Sequence, residues 1–426
     1  MGIFVLLAFL ALLIIINSRK KGTVLSSSNL ILFVYAFSAL MSLVLVFAYD
    51  VPAPRFFSVL IFVCMLAPYL LPLLFMPDQR GAKPISIQSK LPLEITVIAF
   101  SVIGIFSMIY YLRFLPQILS FGDFSVGRNY TTGTGNHLNA AAGGLVSRIA
   151  TLGANLYLVF ISLAVYFFLV KKRINLMTCL MLFCSTSIFI ITLTRFGRDG
   201  IVIWGGPVIV ALVLVKHCIS QKNLRIVYLS MLPFFVIMLI WFYAVSKDRF
   251  LASKGGVVQS LVSYSGQQVF NFERTLDVSS NFELQMGKAN FSLFASGFNI
   301  NKARSYDYFA SEDILADFLS EGMQGGVFGT FLKSFLADFG VLGTILFGVV
   351  GGGLLILYFN QVRRRNCIDL TYILVSLCYC AFLINGLFYH IWGNASQNII
   401  YLYVPALGVY YFITRGNPLS SIHDRH

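Results

Sequence analysis

The feature that most constrains this chain is a succession of apolar runs, each about as long as a bilayer is thick. They lie near residues 2–17, 29–49, 56–76, 93–112, 148–170, 174–194, 200–215, 226–245, 341–358, 370–388 and 398–413. A helix needs roughly 20 apolar residues to cross a hydrocarbon core about 30 Å thick. The fold class expected is therefore an all-α polytopic membrane protein of about 11 transmembrane helices. Composition agrees: 58% of the 426 residues are hydrophobic and 11% are charged. A soluble domain carries roughly 25% charge and 45–50% apolar residues, so a water-soluble fold is excluded. Disordered, collagenous and disulfide-scaffold classes are excluded with it. Residues 1–426 read as a single integral membrane domain without internal repeats.

Net charge is +14, which in a soluble protein would suggest a nucleic acid partner. Its distribution says otherwise. Alternate connections between the runs hold Arg19, Lys20 and Lys21; Arg80, Lys83 and Lys90; Lys171, Lys172 and Arg173; Lys216, Lys222 and Arg225; Arg363, Arg364 and Arg365; and Arg415 and Arg425. These carry 17 of the 31 basic residues but only three acids, Asp78, Asp369 and Asp424. The remaining connections nearly balance. Positive charge collects on the cytoplasmic side, which places the N-terminus outside and the C-terminus inside, with no nucleic acid partner. The first run is no cleavable signal peptide, because its positive charges follow the apolar stretch. None of the seven cysteines falls in an outer connection, so no disulfide framework is implied.

Two outer connections are long: a first periplasmic loop at 113–147 and a large periplasmic loop at 246–340. The second has 95 residues, too many for a bare connection. Phe270, Phe272, Phe282, Phe291, Phe294 and Phe298 punctuate it, so it is expected to fold back onto the membrane surface. It reads either as a lid or extracellular packing element, or as one wall of a site facing outward.

The strongest local signal is Thr194-Arg195-Phe196-Gly197-Arg198-Asp199-Gly200, which joins two spans through a very short turn. Counting the following run as 201–215 gives a length of about 22 Å at about 1.5 Å per residue. That is short of the core thickness, which puts the turn below the outer surface. Gly205-Gly206-Pro207 reads as an interruption of the second helix, as in discontinuous spans. Arginines at membrane depth are costly and usually serve a site. Arg195 and Arg198 suit a diphosphate clamp, because guanidinium binds phosphate oxygens bidentately and stays charged. The plainer alternative is snorkelling to lipid phosphates, with Asp199 neutralising one of them. Arg113, Arg128, Arg148, Arg249, Arg274 and Arg304 also face outward, and Arg128 and Arg249 are the expected auxiliaries of the clamp.

Among the carboxylates, Ser311 reads as the cap of a helix through Glu312, Asp313, Asp317 and Glu321, mostly a solvated face. Phe328, Phe331, Leu332, Phe335 and Leu336 follow helical spacing and predict an amphipathic helix. Asp338 borders its apolar face just before the ninth span, where desolvation suits a general base. The alternatives for Asp338 are a cap or an ion pair. Glu273 is a second candidate base and His390 a weaker one. No Walker loop, nucleotide fingerprint, HExxH, CxxC or Asp-x-Asp motif occurs, so no metal or other cofactor is expected. Gly348, Gly351, Gly352 and Gly353 read as helix packing.

The stretch Phe328-Gly329-Thr330-Phe331-Leu332-Lys333-Ser334-Phe335-Leu336-Ala337-Asp338-Phe339-Gly340-Val341-Leu342-Gly343 resembles the segment entering a late span of bacterial O-antigen (oligosaccharide repeat unit) polymerases of the Wzy type. The Arg-bearing turn at 194–200 is similar to a mid-chain segment of the same family, and the layout of spans and late outer loop fits it. The resemblance implies a metal-independent glycosyltransferase of lipopolysaccharide biosynthesis in the bacterial inner membrane. The growing glycan would pass from undecaprenyl diphosphate to a sugar hydroxyl of the next lipid-linked repeat unit. The implied partners are that lipid-linked oligosaccharide, membrane lipids and a chain-length regulator. Related O-antigen ligases carry a histidine where Gly329 stands, which favours polymerase over ligase. A ligase and a lipid-linked oligosaccharide flippase are the competing readings.

Overall fold

The computed structural model describes residues 1–77, 83–84, 90–120, 145–194, 199–251, 256–279, 284, 286–287, 290–291, 330–365, 367–388 and 400. Among the described residues the structure is helical apart from one parallel pairing of two residues each, Lys83–Pro84 with Cys367–Ile368. In order, the helices are α1 (Gly2–Lys21), α2 (Ser27–Ala48), α3 (Phe56–Leu70), α4 (Lys90–Leu112), α5 (Leu115–Ser120), α6 (Leu145–Asn155), α7 (Tyr157–Lys171) and α8 (Leu176–Ser185). They continue as α9 (Ser187–Leu193), α10 (Gly206–Val215), α11 (Gln221–Leu251), α12 (Gly256–Gly266), α13 (Gln268–Ser279), α14 (Thr330–Arg365) and α15 (Leu370–Gly386). Among the described residues six helices are long and apolar enough to cross a membrane, or seven if the bent pair α6–α7 is one span. Helical residues overlap each of the first ten apolar runs, those at 148–170 and 174–194 as two helices each, and the run at 398–413 lies outside the described residues apart from Ile400.

The chain divides into two compact units. The first comprises 1–78, 246–364 and 379–398. Its α1 and α2 form a hairpin. Gly22 ends α1 with φ +61°, a left-handed closure open to glycine at little cost. Ser26 caps α2 by accepting the Asn29 N–H at 3.2 Å. Asn17 Nδ2 donates to Asn29 Oδ1 at 2.6 Å, so two fully buried amides tie the helices together. At the other end Ile3 and Leu45 pack with Phe270, and Gly2 sits so close to Val59 that a Cβ would lie 2.9 Å from it.

The described helices of the 246–340 segment act as a packing element, while most of 280–329 lies outside the described residues. Helices α12 and α13 pack into the first unit. Gly266 lies on the backbone of Met41 and Ser42, where a Cβ would come within 2.5 Å of the Met41 carbonyl carbon. Ser42 Oγ donates to the Gly266 carbonyl at 2.6 Å, and Ser38 Oγ to Gln268 Oε1 at 2.9 Å. Ser38 stands midway along the 22 residues of α2. The chain then travels along α13 to the α2–α3 connection, where Glu273 meets Arg55. Phe272 packs edge-on to Phe62 at 5.0 Å on the way. Hydrogen-bonding serines on α2, a glycine without a side chain and buried phenylalanines explain the insertion. A solvated loop needs none of them.

Helix α14 is two helices broken at Gly340, whose φ of +66° and ψ of −175° are open essentially only to glycine. Phe331, Leu332, Phe335 and Leu336 of its first half are buried, as their spacing predicts. The second half lies along α3. A Cβ on Gly348 would meet Tyr69, and one on Gly352 would stand 2.5 Å from the Pro68 carbonyl oxygen. Tyr69 Oη donates to the Thr344 carbonyl at 3.0 Å, and Tyr379 Oη to the Tyr69 carbonyl at 2.6 Å. Small residues permit this approach where lipid supplies no hydrophobic drive.

The second unit comprises 79–245, 365–378 and 399–426. Helices α4 and α6 touch at Gly153 and Ile103, and Ser107 Oγ donates to the Ala150 carbonyl at 2.5 Å. Helices α6 and α7 meet at a 45° bend, and α8 and α9 are separated at Thr186. Residues Ile201–Gly205 form a π-helical turn leading straight into α10. The expected interruption at Gly205-Gly206-Pro207 is therefore absent: Gly205 and Gly206 keep helical angles. Pro207 enters at the start of α10, after the wider π turn has shifted the hydrogen-bond register, where a missing N–H is tolerated. The apolar helix runs 18 residues from Ile201 to Cys218, or about 27 Å at about 1.5 Å per residue. Lys216, His217 and Cys218 extend it by a 3-10 turn beyond the apolar run, and the depth of the Arg turn lies outside the described residues.

Candidate functional site

In the first unit, the break in α14 is built from the motif that carries the family resemblance. A helix C-terminus leaves carbonyls without intrahelical partners. Here the Met286 N–H donates to the Asp338 carbonyl at 3.1 Å. Asp338 itself is fully buried. Its Oδ2 accepts the Asn290 backbone N–H at 2.9 Å and Asn290 Nδ2 at 2.6 Å. Asn290 Nδ2 also reaches the Ser334 carbonyl at 3.0 Å. Left-handed Met286 and Gly287, with φ of +49° and +91°, let the chain turn there. Phe291 closes the arrangement: its N–H donates to the Gly287 carbonyl at 2.8 Å and its ring packs 6.2 Å from that of Phe347. Thus Asp338 holds a segment from the 246–340 region across the broken helix. A buried charge is tolerable only with hydrogen bonds of this kind.

Glu273 is placed differently. Its Oε1 accepts from the Arg55 backbone N–H at 2.9 Å, from Arg55 Nε at 2.6 Å and from Ser58 Oγ at 3.2 Å. Asp277, one turn later on α13, pairs with Arg55 Nη2. Its hydrogen bond to Asp277, followed by that to Glu273, pushes the Arg55 guanidinium above its ordinary range. Arg55 precedes α3 and joins it to α13, a role the sequence did not signal. Nothing local to Val51-Pro52-Ala53-Pro54-Arg55 distinguishes it from an interfacial cation, and its partners lie more than 200 residues away.

Of the expected diphosphate clamp, Arg195, Arg198 and Arg128 lie outside the described residues. Arg249 belongs to α11, with its side chain outside the description. His390, Arg304 and the expected helix after Ser311 are likewise outside it. Three other outer arginines are placed, one of them Arg274, half-buried on α13. Arg113 stacks on Tyr110 and Phe114, 4.0 and 4.5 Å from their ring centroids, and Arg148 is exposed on α6. The structure thus separates the two carboxylates, Asp338 at the α14 break and Glu273 beside Arg55. Among the described residues no group of three or more His, Cys, Asp or Glu side chains is placed to hold a metal ion. Neither the models of known protein families, nor curated proteins, nor solved structures gave a match to this chain.

Proposed function

We propose that this chain polymerises lipid-linked oligosaccharide repeat units, passing the growing glycan from undecaprenyl diphosphate to a hydroxyl of the next unit at the outer face of a bacterial inner membrane. The observation that carries the reading is the break at Gly340. The run resembling the polymerases, Asp338-Phe339-Gly340, is not a plain helix entrance but a glycine-enforced interruption with a buried carboxylate. Discontinuous helices with an ionisable residue are how bundles build sites at membrane depth. The leaving diphosphate gathers negative charge in the transition state, and fixed arginines stabilise it without a metal. Arg195 and Arg198 fill this role in the proposal, with Arg128 and Arg249 assisting. Asp338 is the base on the acceptor hydroxyl, oriented by Asn290, and Glu273 anchors Arg55. The proposal includes eleven spans, an outward N-terminus, an inward C-terminus and a chain-length regulator as partner.

Arg198→Ala tests it. Long polymer disappears from the surface polysaccharide while the protein remains membrane-inserted, and Arg198→Lys fails too because a point charge lacks the bidentate fork. Loss of one positioned donor commonly costs about 2.7–4 kcal/mol of barrier. Normal polymer length in Arg198→Ala would sink the clamp. Deleting the chain separates the classes: a ladder collapsed to one capped repeat unit supports a polymerase. Loss of all surface glycan points to a ligase or flippase.

A further inference from the structure

We infer that the Lys20–Arg363 end of the first unit is a binding site for a phosphate group, remote from the Asp338 break and independent of the polymerase reading. Two cations from distant parts of the chain meet there on one residue. Lys20 Nζ stands 4.2 Å from the centroid of the Phe75 ring, and Arg363 Nη2 donates to the Phe75 carbonyl at 2.8 Å. Nearby in sequence, Lys21 Nζ contacts Ser28 Oγ in the first turn of α2, where the helix dipole is positive and favours anions.

This convergence is not what charge alone would produce. Like charges brought to one residue repel, and a cation–π contact at an exposed site returns only about 0.5–1 kcal/mol. No carboxylate among the described residues pairs with Lys20 or Arg363; the ion pairs among those residues belong to Arg55, at the α2–α3 connection. Both side chains reach solvent. With one Nη2 bond on the Phe75 carbonyl, the rest of the Arg363 fork points its donors elsewhere, and planar guanidinium matches phosphate oxygens. A tetrahedral anion bridging Lys20 and Arg363 would remove the repulsion. Val24 and Leu25, in the short connection after Lys21, are 58% and 65% exposed. They offer exposed apolar surface three and four residues beyond Lys21.

The test uses the full chain purified in detergent, with phosphatidylglycerol and inorganic phosphate as probes and native mass spectrometry as readout. Each cation near an anionic headgroup contributes about 1 kcal/mol, about fivefold in affinity. Lys20→Gln and Arg363→Gln should therefore each lower retained phosphatidylglycerol by about that factor. The double variant should lower it by about thirtyfold. Lys171→Gln/Lys172→Gln, a basic pair without such convergence, should retain it as the unaltered chain does. Lipid resisting millimolar phosphate assigns the site to a headgroup, and displacement assigns it to a soluble phosphate compound. Equal retention in the single variants, each checked as monodisperse, overturns the inference, as does equal loss in the Lys171/Lys172 control.

Discussion

Asp338 joins complete burial to a formal charge, and its two duties can be pulled apart by substitution. As an anchor it gathers the Asn290 N–H and Nδ2 on one oxygen. Hydrogen bonds to a charged group are worth about 1.5–3 kcal/mol. Asp338→Ala should thus lower stability by about that amount and release the Met286–Phe291 turn, visible as a lower unfolding temperature. Asp338→Asn keeps the shape and one acceptor oxygen but removes the charge. If Asp338 is the base, this variant stays folded and loses about 100-fold or more in polymer formation. Activity within a few-fold of the unaltered chain, in a folded Asp338→Asn protein, would leave it an anchor alone. The sequence supported both duties, since the spacing from Phe331 places the carboxylate at the edge of an apolar face. It could not show Asn290, which faces Asp338 only because the chain turns back 48 residues earlier. For the same reason Glu273 read as a possible base: its partner Arg55 lies 218 residues away.

Helix α14 shows at the level of an element what glycine spacing does and does not reveal. Its four clustered glycines look alike in sequence. In the structure Gly348 and Gly352 meet α3, while Gly351 and Gly353 have nothing within 4 Å of an added Cβ. Gly352→Ala would drive a methyl to 2.5 Å from the Pro68 carbonyl oxygen, and backbone cannot retreat as a flexible side chain can. Overpacking of this kind costs about 1–3 kcal/mol. Gly353→Ala meets open space and should be neutral or gain up to about 1 kcal/mol from helix propensity. Thermal unfolding of the two variants in one detergent separates them, and an equal shift in both would contradict the α3–α14 packing. Helix positions were legible because apolar runs of bilayer length leave few alternatives. Helix breaks were not. Leu156, between Asn155 and Tyr157, carries no Pro or Gly, yet α6 and α7 bend by 45° there. Gly205-Gly206-Pro207 looks broken and continues as helix, because a π turn absorbs the proline.

For the whole molecule, the excess of positive charge on alternate connections makes an orientation prediction that native cysteines leave clean to test. None of the seven lies in a connection assigned to the outside. Five of them, Cys64, Cys179, Cys184, Cys378 and Cys380, lie within the apolar runs, out of reach of an impermeant reagent. A membrane-impermeant maleimide applied to right-side-out vesicles should therefore leave the unaltered chain nearly unlabelled. Ser125→Cys, in the 113–147 connection, should label at once. Gln221→Cys, at the exposed start of α11 among Lys216, Lys222 and Arg225, should label only after permeabilisation. Labelling with the two sites exchanged would reverse the orientation and put the α14 break nearer the inner face, against the outer-face reading. The same reversal would place Lys20 and Arg363 at the outer leaflet without altering their meeting on Phe75. The outer-face polymerase reading therefore depends on how the chain is inserted, while the phosphate site depends only on its fold.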